Sequence, residues 1–173
     1  WLACGSALAD LNIAQLEQQR ELEAPVEIEV ATLFADLEQS LAPQAARRGV
    51  ALHFTAPPAL RVTGDRFLLT QALTNLLQNA LDFSPPASTI ACAAESNGRA
   101  VEFHIRDRGP GIADYARERL FERFFSLPRP DGAPKSTGLG LNFVEEVAAL
   151  HGGSLQLVNV PGGVEARLSL PLG

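Results

Sequence analysis

The sequence predicts a two-layer α/β sandwich of the α+β kind, in which helices pack on one side of a mixed, mostly antiparallel sheet. Two observations favour this class. Apolar residues recur at helical spacing in several segments, most regularly at 64–82, whereas other segments alternate apolar and polar residues as strands do. The turn sequences S-N-G at 96–98 and P-G-G at 161–163 separate the later strands into antiparallel pairs.

The predicted elements follow one another along the whole chain. Leucines at helical spacing predict a helix over residues 1–22, and a short alternating segment at 26–30 predicts a strand. Residues 32–48 predict a second helix, with Thr32 as its N-cap and Gly49 closing it. Further strands are predicted at 50–54, 60–62, 88–95, 100–107, 154–159 and 164–170, and further helices at 64–82, 114–121 and 139–150.

Composition excludes several classes of function. The 173 residues suit about one domain, and a hydrophobic fraction of 46% is enough for a packed core. The net charge of −6 argues against nucleic acid as a partner. Because no apolar run approaches the roughly 18 residues of a membrane span, we expect no membrane contact by this chain.

The cysteines and the absence of methionine bear on the cellular compartment and on whether the sequence is part of a longer protein. Cys4 and Cys92 have no spacing typical of metal or redox sites, so we interpret both as ordinary buried residues in a reducing cytoplasm. The sequence contains no methionine. We therefore expect that it is a piece of a longer protein.

The predicted helix over 64–82 has an apolar stripe and an opposite polar face. Because two asparagines one turn apart, Asn75 and Asn79, can direct side-chain oxygens at one point, they suit a hard cation such as Mg²⁺. Taken alone, a solvated polar face explains the same pattern. The stripe consists of Leu69, Leu73, Leu76, Leu77 and Ala80, and the polar face of Gln71, Asn75, Asn79 and Asp82.

A second candidate lies at the end of the predicted strand over 100–107. Asp107 falls on the same face as the apolar residues of this strand, and a carboxylate facing a core is unfavourable unless a polar group pairs with it. An amine of a bound ligand would be such a group. Gly109 and Gly111 would then let the backbone approach that ligand closely. A tight turn with a capping aspartate explains the same residues.

The third candidate is T-G-L-G-L at 137–141, which opens the predicted helix over 139–150. Free N–H groups at a helix N-terminus form an anion site, and Gly138 and Gly140 would leave them accessible. A helix start loosened by glycines is the alternative. The preceding segment is long enough to be a lid, and it contains the basic residues Arg123, Arg129 and Lys135, each of which also fits a solvated surface position.

Three familiar nucleotide motifs are absent from the sequence. It contains no G-x-x-x-x-G-K-[ST] and hence no P-loop. Asp114 stands where the third glycine of a dinucleotide-binding fingerprint would be. The H-R-D loop of serine/threonine kinases is also missing.

The candidates stand in a fixed order that resembles the catalytic ATP-binding domain of sensor histidine kinases. This Bergerat-type (GHKL) fold is shared with gyrase and MutL ATPases. The resemblance is carried by N-L-L-x-N-A at 75–80, D-x-G-x-G-I at 107–112, F-x-x-F-F at 121–125 and T-G-L-G-L at 137–141. It covers residues 26–173. The runs P-R-P-D-G and K-S-T-G-L-G-L resemble the carbon-source-responsive Cre-type subgroup.

The resemblance implies ATP and Mg²⁺ as cofactors and assigns a role to each matching position. Asn79 would be the Mg²⁺ ligand, and Asn75 would approach the phosphates. Asp107 would bond the adenine amine, with Phe83 and Ile112 lining the base and Gly109 and Gly111 giving room for it. Phe121, Phe124 and Phe125 would anchor the lid, and Thr137, Gly138, Leu139, Gly140 and Leu141 would surround the phosphates. Lys135 or Arg123 would supply the cation that Asp82 cannot.

The resemblance also implies a domain organisation. Residues 1–22 resemble the end of a dimerisation and phosphoacceptor helix, and residues 23–173 would form the catalytic domain. None of His53, His104 and His151 is followed by glutamate as the family's acceptor histidine is, so we interpret all three as structural. The acceptor would lie upstream. The parent protein would be a homodimer in the bacterial inner membrane, with this domain in the cytoplasm and a response regulator as partner.

Two positions depart from the family pattern and keep alternatives open. The family commonly has Lys or Arg where Asp82 stands, and a glycine where Ser136 stands. A degenerate nucleotide-binding module with a regulatory or docking role fits these departures. Within enzymes, the alternative is an anti-sigma-type serine kinase or an ATPase. The helix at 1–22 argues against these enzymes, as does Asn75, which cannot serve as the general base that such ATPases need.

Overall fold

The computed structural model describes residues 25–108 and 139–172. Three helices and seven strands are found in these two ranges. In chain order they are β1 (Val26–Glu29), α1 (Val30–Arg48), β2 (Ala51–Thr55), β3 (Arg61–Gly64), α2 (Arg66–Phe83), β4 (Thr89–Ser96), β5 (Ala100–Arg106), α3 (Leu139–Leu150), β6 (Ser154–Val160) and β7 (Gly163–Pro171). The predicted helices at 1–22 and 114–121 lie outside the described residues.

Five of the strands form one mixed sheet in the order β2-β4-β5-β7-β6. β2 runs parallel to β4, and the other three pairings are antiparallel. The predicted mixed and mostly antiparallel sheet is therefore confirmed. β1 and β3 form a separate antiparallel pair that the sequence pattern did not indicate.

The core lies between the helices and one face of the five-stranded sheet. On β5, Val101, Phe103 and Ile105 are buried in this core, whereas the alternate residues of the strand are only half-buried. The ring of Phe34 on α1 packs edge-on against Phe103, with 6.0 Å between ring centroids. On α2 the buried residues include all five of the predicted apolar stripe. The two layers predicted from the sequence are thus confirmed.

The start of α1 corrects the predicted N-cap. The helix begins at Val30 rather than Thr32, with Glu29 in the N-cap position and no side-chain cap. The Val30 N–H donates to the carbonyl of Leu60 at 3.0 Å, so a tertiary contact satisfies a backbone group that a cap would otherwise satisfy. Thr32 lies inside the first turn. The predicted end of this helix at Gly49 is confirmed, with φ of 69°.

Other boundaries shift by one or two residues, as hydrogen bonding rather than hydropathy sets strand and helix ends. α2 begins at Arg66, because Asp65 caps it by accepting from the Leu68 N–H at 2.9 Å. The predicted end of α3 at residue 150 is confirmed, and its described part begins at Leu139. The strands predicted at 26–30, 50–54, 60–62, 88–95, 100–107, 154–159 and 164–170 are corrected to the bounds given above.

The C-terminal end of α2 is held by a side chain from α1. The Arg48 guanidinium donates to the carbonyl of Leu81 at 2.7 Å and to that of Asp82 at 3.2 Å. The last carbonyls of a helix have no partner within the helix, and a cation is favourable beside them. Arg48 therefore links the ends of two helices.

His151 joins the end of α3 to the start of α2. Its Nδ1 lies 2.7 Å from the carbonyl of Val147, and its Nε2 accepts from the Asp65 N–H at 3.1 Å. Since the backbone amide must donate, the ring is neutral and carries its proton on Nδ1. Burial lowers the pKa of His151, partly offset by the bond to Val147 and the charge of Asp65. The structural role expected of this histidine fits these contacts.

Two further expectations concern burial and membranes. Burial raises the pKa of the Cys92 thiol to about 12, so this cysteine is an inert core residue, as predicted. Cys4 lies outside the described residues. None of the helices in the described ranges combines the length and apolarity that crossing a bilayer requires.

Candidate functional site

The polar face of α2 carries the first group of predicted site residues. Asn75, Asn79 and Asp82 are each half-buried, so they lie at the border between core and solvent. The Gln71 amide donates to the Asn75 side-chain oxygen at 3.4 Å, which places these two residues on one face as predicted. Phe83, at the end of the helix, is also half-buried. The helix therefore presents amide and carboxylate oxygens along one accessible line.

Asp107 lies directly after β5 and is held by the start of β7. Its side chain is only 8% exposed, which confirms the prediction that it faces the core side of the sheet. The Asp107 N–H donates to the carbonyl of Val164 at 2.9 Å, and the Val164 N–H donates to Asp107 Oδ1 at 3.2 Å. These two bonds fix both the backbone and one carboxylate oxygen of Asp107.

A close backbone approach accompanies these bonds. A methyl group placed on Gly163 would overlap the carbonyl oxygen of Asp107. No larger residue can occupy position 163 unless one of the two strands moves. Gly163, which the sequence indicated only as part of a turn, thus sets the distance between Asp107 and β7.

The start of α3 contributes the third group. Gly140 is exposed, and a methyl group added to it would meet no atom of the described residues within 4 Å. Packing in the described part of the chain therefore does not require a glycine here, and the described residues leave space beside the first turn. Leu141 packs against the core. Leu139 is the first residue of the helix.

The fold brings these three groups onto neighbouring elements. α2 packs against both α3 and β5, and α3 packs against β7. Asp107 at the end of β5, the asparagines of α2 and the first turn of α3 thus belong to one packed unit. The remaining predicted residues lie outside the described residues: Gly109, Gly111, Ile112, Phe121, Arg123, Phe124, Phe125, Arg129, Lys135, Ser136, Thr137 and Gly138.

Comparison with known proteins identifies the family. Residues 64–173, more than half of the chain, match the family described as histidine kinase-, DNA gyrase B-, and HSP90-like ATPase. The chain belongs to this ATPase family. The matched segment begins just before α2 and includes all three groups of site residues.

A curated relative in this ATPase family is a sensor kinase. The chain is 45% identical over 161 residues to the sensor protein CreC of Escherichia coli strain K12. The aligned segment covers 92% of this chain and 33% of CreC. The predicted resemblance to the histidine kinase branch and its Cre-type subgroup is confirmed. The chain spans less than half the length of the curated relatives it matches.

Solved structures of histidine kinases share the fold. The catalytic domain of histidine kinase ThkA has a TM-score of 0.77 at 25% identity, over 86% of this chain and 97% of ThkA's domain. The full-length kinase ShkA in complex with AMPPNP has a TM-score of 0.80 at 29% identity, over 94% of this chain and 34% of ShkA. The predicted Bergerat-type fold is therefore confirmed.

Three site features were missed in the sequence. Gly163 and Val164 support Asp107 from 56 and 57 positions away, and only the G-G pair at 162–163 hinted at a close backbone approach. Ser84 is the third, because its hydroxyl is buried and has no hydrogen-bond partner among the described residues. Since buried hydroxyls are normally bonded, Ser84 favours a polar partner next to Phe83.

The described residues fit ATP and Mg²⁺ as ligands of this ATPase family. Half-buried side-chain oxygens on α2 match the oxygen ligands that Mg²⁺ prefers. The buried carboxylate of Asp107 accepts hydrogen bonds and so suits an amine donor. Among the described residues, space remains beside Gly140 in the first turn of α3, and phosphate binds well to the N–H groups of a helix N-terminus.

Proposed function

We propose that this chain is the catalytic domain of a sensor histidine kinase, which binds Mg-ATP and presents its γ-phosphate to a histidine of a dimerisation domain. The observation that carries the proposal is the position of Asp107, buried and fixed by Val164 at the end of β5, within a segment that matches the ATPase family. A carboxylate held in this way recognises an amine at a defined place. Adenine carries such an amine.

Asp107 would select adenine over guanine. The adenine amino group donates a hydrogen bond, whereas guanine presents a carbonyl oxygen at the equivalent ring position. The guanine carbonyl oxygen would offer the Asp107 carboxylate no hydrogen bond, and two acceptors that face each other give strong discrimination against guanine. Phe83, half-buried at the end of α2, would line the base together with Ile112.

The asparagines of α2 would hold the metal and the phosphates. Asn79 would ligate Mg²⁺ and Asn75 would approach the phosphates, with Asp82 at the end of the same face. When bound, Mg²⁺ supplies positive charge against the phosphate oxygens. The first turn of α3 at Gly140 and Leu141, together with Thr137, Gly138, Leu139 and Lys135, would surround the phosphate chain from the other side.

Asn75 favours phosphoryl transfer over hydrolysis. A carboxylate at this position would accept a proton from water, but an amide cannot act as a general base. The domain would therefore position the γ-phosphate without activating water, and catalysis would consist of orientation and charge stabilisation. The lone pair of a histidine nitrogen delivered by another domain would then attack the γ-phosphorus, and ADP would leave with the electron pair of the broken bond between the γ-phosphorus and the bridging oxygen.

The parent protein would supply the other components. Residues 1–22 would end a dimerisation helix, residues 23–173 would form the catalytic domain, and the acceptor histidine would lie further upstream. We propose a homodimeric parent in the bacterial inner membrane with this domain on the cytoplasmic side. A response regulator would receive the phosphoryl group from the histidine.

The test is calorimetric titration of the 173-residue chain with a non-hydrolysable ATP analogue, with and without Mg²⁺, followed by the same titration with a GTP analogue. We expect binding that strengthens with Mg²⁺ and prefers adenine. Radiolabelled ATP and an added dimerisation domain of the same family would then give phosphohistidine, which is acid-labile.

Asn79→Ala tests the metal role, and Thr70→Ala on the same helix serves as the matched control. Among the described residues, Thr70 bonds within its own helix, where its hydroxyl donates to the carbonyl of Arg66. We expect Asn79→Ala to lose the Mg²⁺-dependent part of binding and Thr70→Ala to keep it. Nucleotide binding without any transfer to the dimerisation domain would instead support the regulatory module, which the acidic Asp82 favours.

A further inference from the structure

A histidine surrounded by three glutamates lies on the sheet face opposite the helices. His104 is at the centre of β5, on the strand face that alternates with the core residues. Glu102 is two residues away on the same face. Glu95 and Glu165 lie diagonally across from His104 on β4 and β7, since the strand pairing sets His104 against Ala93 and Arg167. The backbone register alone therefore brings these four side chains together.

The two distances from the His104 ring nitrogen to the glutamates match those between neighbouring ligands of one metal ion. His104 Nε2 lies 3.5 Å from Glu95 Oε1 and 3.4 Å from Glu102 Oε2, and the three ligand atoms are all within 4.8 Å of one another. For ligands about 2.0–2.2 Å from a tetrahedral ion, neighbouring ligand atoms are roughly 3.4 Å apart. A charged hydrogen bond would be shorter, at about 2.7–2.9 Å.

The buried ring nitrogen points into this gap. His104 Nε2 is inaccessible to solvent and has no hydrogen-bond partner among the described residues, although the ring as a whole is 23% exposed. Such an atom is unfavourable unless an ion or a donor satisfies it. The nitrogen is thus the observation that distinguishes this cluster from exposed glutamates on a solvated surface.

A supporting contact orients the ring. His104 Nδ1 lies 3.4 Å from Glu165 Oε1, while the other oxygen of Glu165 accepts two bonds from Arg167, both at 2.9 Å. A carboxylate beside Nδ1 keeps the proton on that nitrogen and leaves the lone pair of Nε2 for a metal, which is the usual arrangement of metal-bound histidines. Glu165 is well fixed, because its side chain is only 16% exposed.

The charges of the cluster also favour a cation. Glu95 and Glu102 face each other in the pairing of β4 and β5, and like charges placed directly opposite are destabilising. Within the described ranges, His104 is the only ionisable base at ion-pair distance from either carboxylate. A divalent ion would neutralise both.

We propose that Glu95, Glu102 and His104 bind one divalent transition-metal ion of the Zn²⁺ type, with Glu165 as the residue that positions the histidine. One imidazole and two carboxylates suit Zn²⁺ better than Mg²⁺, which prefers an all-oxygen environment. The ion would join β4 to β5 on the outer face of the sheet. It is separate from the Mg²⁺ proposed at α2, because the core lies between the two positions.

The test is calorimetric titration of the 173-residue chain with Zn²⁺ at neutral pH, with the thermal midpoint measured before and after addition. We expect one saturable site and a midpoint that rises with Zn²⁺ and returns when a chelator is added, since binding to the folded state stabilises it. Co²⁺ in place of Zn²⁺ should give visible absorption bands of a site with one nitrogen and several oxygen ligands. Mg²⁺ should not displace it.

Variants separate this site from other histidines. His53→Gln is the matched control, because His53 is exposed on β2, on the same outer face of the sheet, with β4 between it and β5. We expect His104→Gln and Glu102→Gln to abolish saturable binding, Glu165→Gln to weaken it by about 10- to 100-fold, and His53→Gln to leave it unchanged. All four substitutions are on the outer face of the sheet, so we expect each variant to fold. The thermal midpoint of each variant without metal checks this.

Two results would overturn the proposal. One is the absence of saturable Zn²⁺ binding to the unmodified chain, which would mean that these side chains do not form a metal site. The other is equal binding by His104→Gln and the unmodified chain, which would assign the ion to another group.

Discussion

Asp107 and Val164 exchange two hydrogen bonds, one through each backbone N–H, so that the carboxylate of Asp107 is fixed by a strand 57 residues further along the chain. The second carboxylate oxygen belongs to the same rigid group. A ligand amine that meets Asp107 therefore meets an acceptor whose position is already set. Preorganised acceptors discriminate well, because little reorganisation accompanies binding.

Asp107→Asn should weaken binding of the ATP analogue by at least about 10-fold, since a charged acceptor is replaced by a group that can also donate. Discrimination between ATP and GTP analogues should fall with it. Calorimetric titration of both analogues measures this. An unchanged preference for adenine would remove Asp107 from base recognition.

Gly163→Ala should move Asp107 without altering its chemistry. The added methyl group overlaps the Asp107 carbonyl oxygen, so the two strands must separate and the chain should lose about 1–3 kcal/mol of stability. We expect weaker nucleotide binding as well, because the carboxylate shifts with its backbone. Urea unfolding and titration with the ATP analogue give the two readouts. If Gly163→Ala kept the stability and the nucleotide affinity of the unmodified chain, Gly163 would not be needed to set the position of Asp107.

Gly140→Ala should weaken nucleotide binding without lowering stability. The new methyl group meets no described atom within 4 Å, and alanine is favoured over glycine in a helix by up to about 1 kcal/mol. Stability should therefore stay the same or rise. Binding of the ATP analogue should weaken, because the methyl group occupies the space in front of the first turn of α3. Retained affinity would place the phosphates elsewhere.

Gly64→Ala should disturb the contact between α2 and α3. A methyl carbon on Gly64 would lie 2.5 Å from both Cδ2 and Nε2 of His151, whose ring is held by two hydrogen bonds. We expect a loss of about 1–3 kcal/mol in the free energy of unfolding. A double-mutant cycle with His151→Ala checks the cause, because Gly64→Ala should cost less once the ring is gone. Strictly additive effects would point to Leu69, whose Cδ1 lies 3.0 Å from the added carbon.

His151 should make stability depend on pH. Because burial holds its pKa below the usual value, the unfolded chain takes up a proton first as the pH falls. The contribution of His151 is complete above the unfolded-state pKa of about 6.5 and is lost as the pH drops through the lower folded-state value.

Urea unfolding between about pH 8 and pH 5 measures this dependence around the ordinary histidine pKa. We expect His151→Gln to be less stable at the upper end, and its stability to change less with pH across the range. His53→Gln is the control and should keep the dependence of the unmodified chain. Parallel curves for the unmodified chain and His151→Gln would contradict the assignment.

Local patterns predicted the elements well where one rule dominated. Helix α3 ends at the predicted residue, because its apolar spacing and the glycines that follow it agree. The predicted start of α1 was wrong, because the Leu60 carbonyl takes the Val30 N–H from another part of the chain. No local signal reveals such a contact.

Part of the candidate site could likewise be predicted from local sequence patterns, and part could not. Asp107 was recognised because a carboxylate on the core face of a strand is unusual, and the structure places it there. Its supports, Gly163 and Val164, were not recognised, since strand pairing between β5 and β7 joins residues that are far apart in sequence. The ligand roles of Asn75 and Asn79 stay predictions.

The contact of Arg48 with the C-terminal end of α2 affects how a substitution at position 82 should be interpreted. α2 has no basic residue in its last turn, and its dipole is negative at that end, where Asp82 adds an acid. The guanidinium of Arg48 lies on the carbonyl of residue 82 from another helix, 34 positions earlier. The positive charge at the end of α2 thus comes from a residue of another helix, and residue 82 alone does not show whether this helix end has a cation. A lysine at position 82 would add a second cation to a helix end whose carbonyls Arg48 already holds.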